Sequence, residues 1–204
     1  MQMAFYICSM TTTRIALFAS GTGSNARRIM EYFAEHNRIE VGLLLANKAD
    51  AGALQHAAEC GIPHHYLPNE QFRQGAPVVE LLHEYRIDAI VLAGFLLLIP
   101  PALIAAYPHR IVNIHPALLP NYGGKGMYGH FVHEAVAAAG EQESGITIHI
   151  VTAAYDEGPV LAQHRVGLTS EDDARTIESK VRRLELEHYA QEIEHWILQM
   201  QGLD

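Results

Sequence analysis

Cysteine is scarce in this chain: Cys8 and Cys60 are the only two, too few for a disulfide framework and in keeping with a reducing compartment. Positive charge is scarce as well. Fourteen Lys and Arg stand against 23 Asp and Glu, a formal net charge of −9, and a surface of that sign argues against nucleic acid as the main partner. A small anionic molecule remains admissible, because backbone amides and one or two local charges hold a single phosphate. No window approaches the ~18 consecutive apolar residues of a membrane span, and the very apolar stretch 87–99 reads as a buried strand plus a turn. The first thirteen residues lack the basic start and small-residue cleavage site of a signal peptide. The expected location is therefore cytoplasmic, with no membrane partner. Residues 1–13 are expected to be a flexible extension, with Met10 as a candidate translation start.

What is present is a globular balance. The 204 residues are 49% apolar and 18% charged, which suits one domain with a sizeable core. Apolar runs at 14–19, 41–46, 63–67, 89–93, 110–115, 145–151 and 160–166 predict strands. Helices are expected at 24–35, 51–60, 78–85, 101–106 and 127–139. A last long helix to about 200 is expected to be capped by Thr169 or Ser170, with Glu171, Asp172 and Asp173 in its first turn. Alternating strands and helices predict an α/β fold: a three-layer, doubly wound, mostly parallel sheet in a single domain over 14–200. Such sheets bind ligands at the carboxyl ends of their strands.

Three stretches fall at that rim. Ser20-Gly21-Thr22-Gly23-Ser24-Asn25 joins the first strand to the first helix; its glycines permit a tight turn, and a helix start offers free N–H groups to an anion. An ordinary turn capped by Ser24 is the alternative. With Ala26 the run also fits a loose dinucleotide pattern, but Asn47 stands where that pattern expects an acid and Asp50 comes late, which argues against a nicotinamide cofactor. Asn113 and His115, two apart on a strand, share one face with Ile114 on the other. They read either as reacting groups or as anchors for the loop after Pro116. Tyr155-Asp156-Glu157-Gly158-Pro159 is a turn signal, and beside an imidazole its Asp156 is expected to raise the histidine pKa. His149, mid-strand with Thr147 and Val151 on its face, reads as a satisfied core histidine, and Tyr189 and Trp196 as core. His64-His65 and His130-x-x-His133 lack the company of a metal site, so no metal is expected.

Taken together, Ser-Gly-Thr-Gly-Ser-Asn at 20–25, Leu-Ala-Gly-Phe at 92–95, Asn-Ile-His-Pro-Ala-Leu-Leu-Pro at 113–120 and Tyr-Asp-Glu-Gly-Pro at 155–159 resemble the glycinamide ribonucleotide formyltransferases over about 14–196. The resemblance implies a Rossmann-like formyltransferase fold. It implies transfer of a formyl group from 10-formyltetrahydrofolate, as donor cosubstrate, to the amine of 5'-phosphoribosylglycinamide in purine biosynthesis, with a homodimer as one candidate assembly. Asn113, His115 and Asp156 become the catalytic group by resemblance. Gly21, Thr22, Gly23, Ser24 and Asn25 become the phosphate loop, and Glu187 the ribose-hydroxyl ligand. Leu92, Phe95, Leu97, Leu98 and Ile99, with Asn113 and Asp156, become the folate contacts, and His149 an accessory group.

The chain departs from the pattern in three places. The loop 123–130 is longer than in many members, Phe131 stands where a histidine is frequent (with His130 as a substitute by a small shift), and Leu97 replaces an arginine found in some. Rival readings are a 10-formyltetrahydrofolate hydrolase, which carries an extra amino-terminal domain, and a formyltransferase acting on another amine such as methionyl-tRNA. A module that binds the nucleotide without catalysis is a third.

Overall fold

The computed structural model describes residues 12–202; the expected extension thus lies, up to residue 11, outside the described residues, as does the candidate start at Met10. The chain alternates β1 (Thr13–Ala19), α1 (Ser24–Phe33), β2 (Ile39–Ala46), α2 (Gly52–Glu59), β3 (His64–Tyr66), α3 (Asn69–Gln74), α4 (Ala76–Glu84), β4 (Ala89–Leu92), α5 (Pro101–Ala106), β5 (Ile111–His115), α6 (His130–Ala139), β6 (Glu143–Ile150), β7 (Val160–Gly167) and α7 (Ala174–Met200). The seven strands form one sheet in the order β3-β2-β1-β4-β5-β6-β7. The five strands from β3 to β5 run parallel, and β6 and β7 close the far edge in antiparallel pairing. The expected α/β class, single domain and mostly parallel sheet are all present.

Period-two alternation divides the core. Ile15, Leu17 and Ala19 of β1 face a layer that holds Ile29, Phe33, Ala53, Val136, Ile177 and Trp196. Ala16 and Phe18 face a second layer with Phe72, Val78, Leu82 and Leu103. Helices α1, α2, α6 and α7 therefore cover one face and α3, α4 and α5 the other. Strands buried on both faces are nearly continuous apolar runs for this reason. Tyr189 and Trp196 are core, as expected. Between β1 and β4 the chain order reverses, and there the crevice at the strand ends opens.

Three local expectations are corrected. The α1 start is capped by Gly23, φ 79°, with no side-chain cap, so Ser24 is not the cap. Helix α6 begins at His130 rather than 127, because Gly129, its N-cap, adopts φ 56°, ψ −135° and breaks the helical path. Helix α7 is capped by Asp173, whose side chain accepts from Thr176 N at 2.8 Å. Thr169 N instead donates to Asp172, which also pairs with Lys180 at 2.6 Å, so this segment is committed to a turn before the helix begins. Helix α3 was not anticipated: six residues are too few for a periodic signal.

Candidate functional site

The end of β1 is tied to the turn after β4. Ser20 N donates to Gly94 O at 3.0 Å, and Ser20 Oγ accepts from Leu96 N at 3.0 Å. Gly23 then turns the chain into α1 in the left-handed region, and a Cβ there would lie 2.5 Å from Ala53 Cα. At Gly21 a Cβ would meet no protein atom within 4 Å. Gly21, Thr22, Gly23, Ser24 and Asn25 all line one cavity of about 580 Å³. Ser24 and Asn25, whose amides at the start of α1 have no intrahelical acceptor, line that cavity, and Lys125 and Arg182 add two cations to its wall.

Helix α7 supplies the wall facing this loop. Glu178, Val181, Arg182 and Glu185 line the cavity, spaced as one helical face. Glu185 accepts from Asn25 Nδ2 at 2.9 Å. Burial raises its carboxyl, and the Asn25 hydrogen bond opposes that shift. Glu187 corrects the sequence reading: it is exposed and outside the cavity. Two residues along a helix rotate a side chain by about 200°, so Glu185 and Glu187 cannot share a face. The helix phase, set by Ile177, Val181, Tyr189 and Ile193 in the core, was the signal that could have found Glu185, Arg182 and Glu178.

The polar group lines the same cavity. In β5 Val112 and Ile114 enter the core, as do Ile146, Ile148 and Ile150 of β6. The alternate residues Asn113, His115, Thr147 and His149 face the other way, as the alternation predicts. Antiparallel pairing sets Asn113 opposite His149 and His115 opposite Thr147. Thr147 anchors the following loop, donating to Ala117 O at 2.7 Å and accepting from Leu119 N at 3.0 Å. Asn113 Nδ2 donates to His149 Nε2 at 3.2 Å, while His149 Nδ1 donates to Ile150 O at 3.1 Å.

The β6–β7 turn brings in Asp156, φ 54°. Its Oδ2 lies 3.5 Å from His115 Nδ1 and accepts from Gly124 N at 2.8 Å; its Oδ1 lies 3.6 Å from His149 Nε2. His115 and His149 are 3% and 2% exposed. Burial holds both imidazoles below their ordinary value, against the opposing pull of Asp156. Asp156 does pull the His115 pKa upward as expected, but the net shift is downward because desolvation outweighs that attraction. His133, unforeseen, also lines the cavity and is held down by burial.

Leu92, Phe95, Leu97, Leu98 and Ile99 line the same cavity. Phe95 and Ile99 are buried, whereas Leu98 is 45% exposed toward its mouth. The buried Tyr189 OH donates to Leu92 O at 2.9 Å and fixes this rim to α7. Tyr128, not foreseen, and Tyr155, in the turn before Asp156 that the sequence singled out, also line the cavity. Phe131 and His130 do not line the cavity; Phe131 packs edge-on against Tyr128 with ring centroids 5.4 Å apart. Among the described residues no three His, Cys, Asp or Glu side chains are grouped as metal ligands.

Residues 13–193 match the family model described as formyl transferase. The chain is 36% identical over 177 residues to the phosphoribosylglycinamide formyltransferase of Escherichia coli (strain K12), covering 84% of this chain and 81% of that one. It is 40% identical over 184 residues to the chloroplastic phosphoribosylglycinamide formyltransferase of Arabidopsis thaliana, covering 87% of this chain. It spans 63% of that relative's length and 60% of its Vigna unguiculata counterpart. Among solved structures, phosphoribosylglycinamide formyltransferase from Bacillus halodurans superposes with a TM-score of 0.82 at 35% identity, covering 91% of this chain and 95% of that one. The Streptococcus pneumoniae TIGR4 structure of the same description gives 0.80 at 33%, with 91% and 99% covered. From β1 well into α7, in sequence and in topology alike, the chain belongs to the formyl transferase family.

Proposed function

We propose that the chain transfers the formyl group of 10-formyltetrahydrofolate to the amine of 5'-phosphoribosylglycinamide. One observation carries this reading: an amide-rich glycine loop, an apolar rim and the Asn113–His115–Asp156 group line a single cavity of about 580 Å³. The glycine loop and Arg182 suit the ribonucleotide phosphate, and Glu185 suits its ribose hydroxyls. The rim 92–99 suits a flat, apolar-faced pterin. The names of the similar proteins support the same assignment.

The chemistry follows from the residue types. Attack of an amine on the formyl carbon leaves negative charge on oxygen and positive charge on nitrogen. Asn113 Nδ2 donates to that oxygen. His115 takes the amine proton at Nδ1, directly or through water, while the ionised Asp156 carboxylate stabilises the imidazolium, which donates to the same oxygen. The proton then passes to the leaving nitrogen of the folate, directly or through water. His149 orients Asn113 by accepting from it. No covalent enzyme intermediate is needed.

An absorbance assay of folate deformylation, with and without the ribonucleotide, tests this. Deformylation that requires the ribonucleotide and disappears in His115→Ala is the expected result. Equal deformylation without the ribonucleotide would mean a hydrolase and remove the phosphate role from the glycine loop. Among the described residues no helix is long and apolar enough to cross a membrane. A cytoplasmic location rests on the scarcity of cysteine, and cell fractionation checks it.

A further inference from the structure

The loop that leaves β5 folds back onto the histidine it follows. Tyr122 O lies 2.8 Å from His115 Nε2. A carbonyl oxygen only accepts, so Nε2 carries the proton and the neutral ring leaves Nδ1 facing Asp156. Which nitrogen is free for chemistry thus depends on where the Tyr122 carbonyl points.

That carbonyl is not held by ordinary loop geometry. Tyr122 has φ 57°, a left-handed conformation that a non-glycine residue keeps only when its surroundings impose it. The loop is anchored before it, where Thr147 and Gln163 hold Leu119 at 3.0 and 2.9 Å. It is anchored again after it, where Gly124 N donates to Asp156. Between these anchors the hydrogen bond to His115 is the one the described residues give to the 122–123 peptide, and rotation of that peptide would carry the Tyr122 oxygen off His115. The tyrosine side chain opposes this. Its ring packs against the core, and its OH donates 2.7 Å to Glu141 Oε1, just beyond the Gly140 cap of α6. Neither Tyr122 nor Glu141 lines the substrate cavity.

We propose that Tyr122 and Glu141 are positioning residues for His115: their hydrogen bond holds the Tyr122 carbonyl where it selects the Nε2–H tautomer and keeps Nδ1 free toward Asp156. This rests on the proposed catalytic role of His115. Because the clamp lies outside the cavity, it acts on turnover and on the titration of His115, and leaves substrate affinity alone.

The test compares Tyr122→Phe, Glu141→Ala and Glu141→Gln. Tyr122→Phe and Glu141→Ala are expected to lower kcat about 2- to 12-fold, the rate equivalent of one hydrogen bond, with KM for both substrates unchanged. In both, nitrogen NMR should show the Nδ1–H tautomer of His115 appearing beside the Nε2–H form. The His115 titration midpoint, which the carbonyl raises, should fall. Glu141→Gln, still able to accept from the phenol, should behave as wild type. A single Nε2–H tautomer and an unshifted midpoint in Tyr122→Phe would overturn the clamp, whatever happens to kcat. Full activity in His115→Ala would instead sink the catalytic assignment, and the tautomer measurement would still decide the clamp on its own.

Discussion

Asp156 Oδ2 and His115 Nδ1 lie 3.5 Å apart in a site where burial, not the carboxylate, decides the resting charge of the imidazole. The ring is held below its ordinary value despite its acidic neighbour, so the pair sits poised to accept a proton rather than resting as an ion pair. Asp156→Asn removes the attraction and leaves the desolvation, so the His115 titration midpoint should fall further. Turnover should drop by about 10²- to 10⁴-fold, the usual worth of a positioned acid–base group, with KM nearly unchanged. Unaltered kcat would remove Asp156 from the mechanism.

The glycine loop separates a folding requirement from a binding one. Gly23→Ala forces a Cβ into Ala53 backbone atoms at 2.5–2.8 Å in a left-handed residue, and should destabilise the fold by roughly 1–3 kcal/mol. Gly21→Ala meets no protein atom within 4 Å, so its thermal midpoint should stay at the wild-type value while KM for the ribonucleotide rises. Chemical denaturation and steady-state kinetics on the two variants check both halves. Equal stability in Gly23→Ala would contradict the packing argument.

Glu185 and Glu187 give a paired control on helix phase. Glu185→Gln should raise KM for the ribonucleotide by about tenfold, the loss of a charged hydrogen bond, and leave KM for the folate alone. Glu187→Gln, on the exposed side of α7, should change neither. The reverse pattern would return the ribose role to Glu187.

Stability should rise with pH across the histidine range. Burial lowers His115, His133 and His149 from their ordinary 6.5, so below about 6.5 the unfolded chain binds more protons than the folded one. Their contribution is complete above that value and is lost as pH falls through the folded values. Glu185, raised by burial from 4.5, works in the opposite sense: its contribution is present at low pH and lost as pH rises through its folded value. Urea midpoints should therefore be lower at pH 5 than at pH 7. The difference should be smaller in His133→Asn and larger in Glu185→Gln. A flat pH profile in the wild type would refute the desolvation account.

Much of the fold was legible because it rests on local periodicity. Apolar runs such as 14–19 mark strands buried on both faces, and the alternation Asn113-Ile114-His115 shows which side chains leave the core. The short α3 and the late start of α6 were not legible. The first is too brief to show a period, and the second hangs on the dihedral angles of Gly129.

The amino-acid sequence by itself determined the α/β class, the glycine loop at the end of β1 and Asn113 and His115 as unusual polar groups near a strand end, while Asp156 read from its own residues as part of a turn and joined them only by resemblance. Tertiary structure alone decided which residues meet. Asn113 faces His149 because β5 and β6 pair antiparallel in one register. Asp156, 41 positions beyond His115, reaches it only because the β6–β7 turn folds over the end of the sheet. It also decided that Glu185 rather than Glu187 enters the cavity, since the buried residues of α7 fix its rotation. The charge of His115 was decided there as well: whether a carboxylate raises an imidazole depends on how much water both groups lose, and that loss exists only once the chain has closed around them.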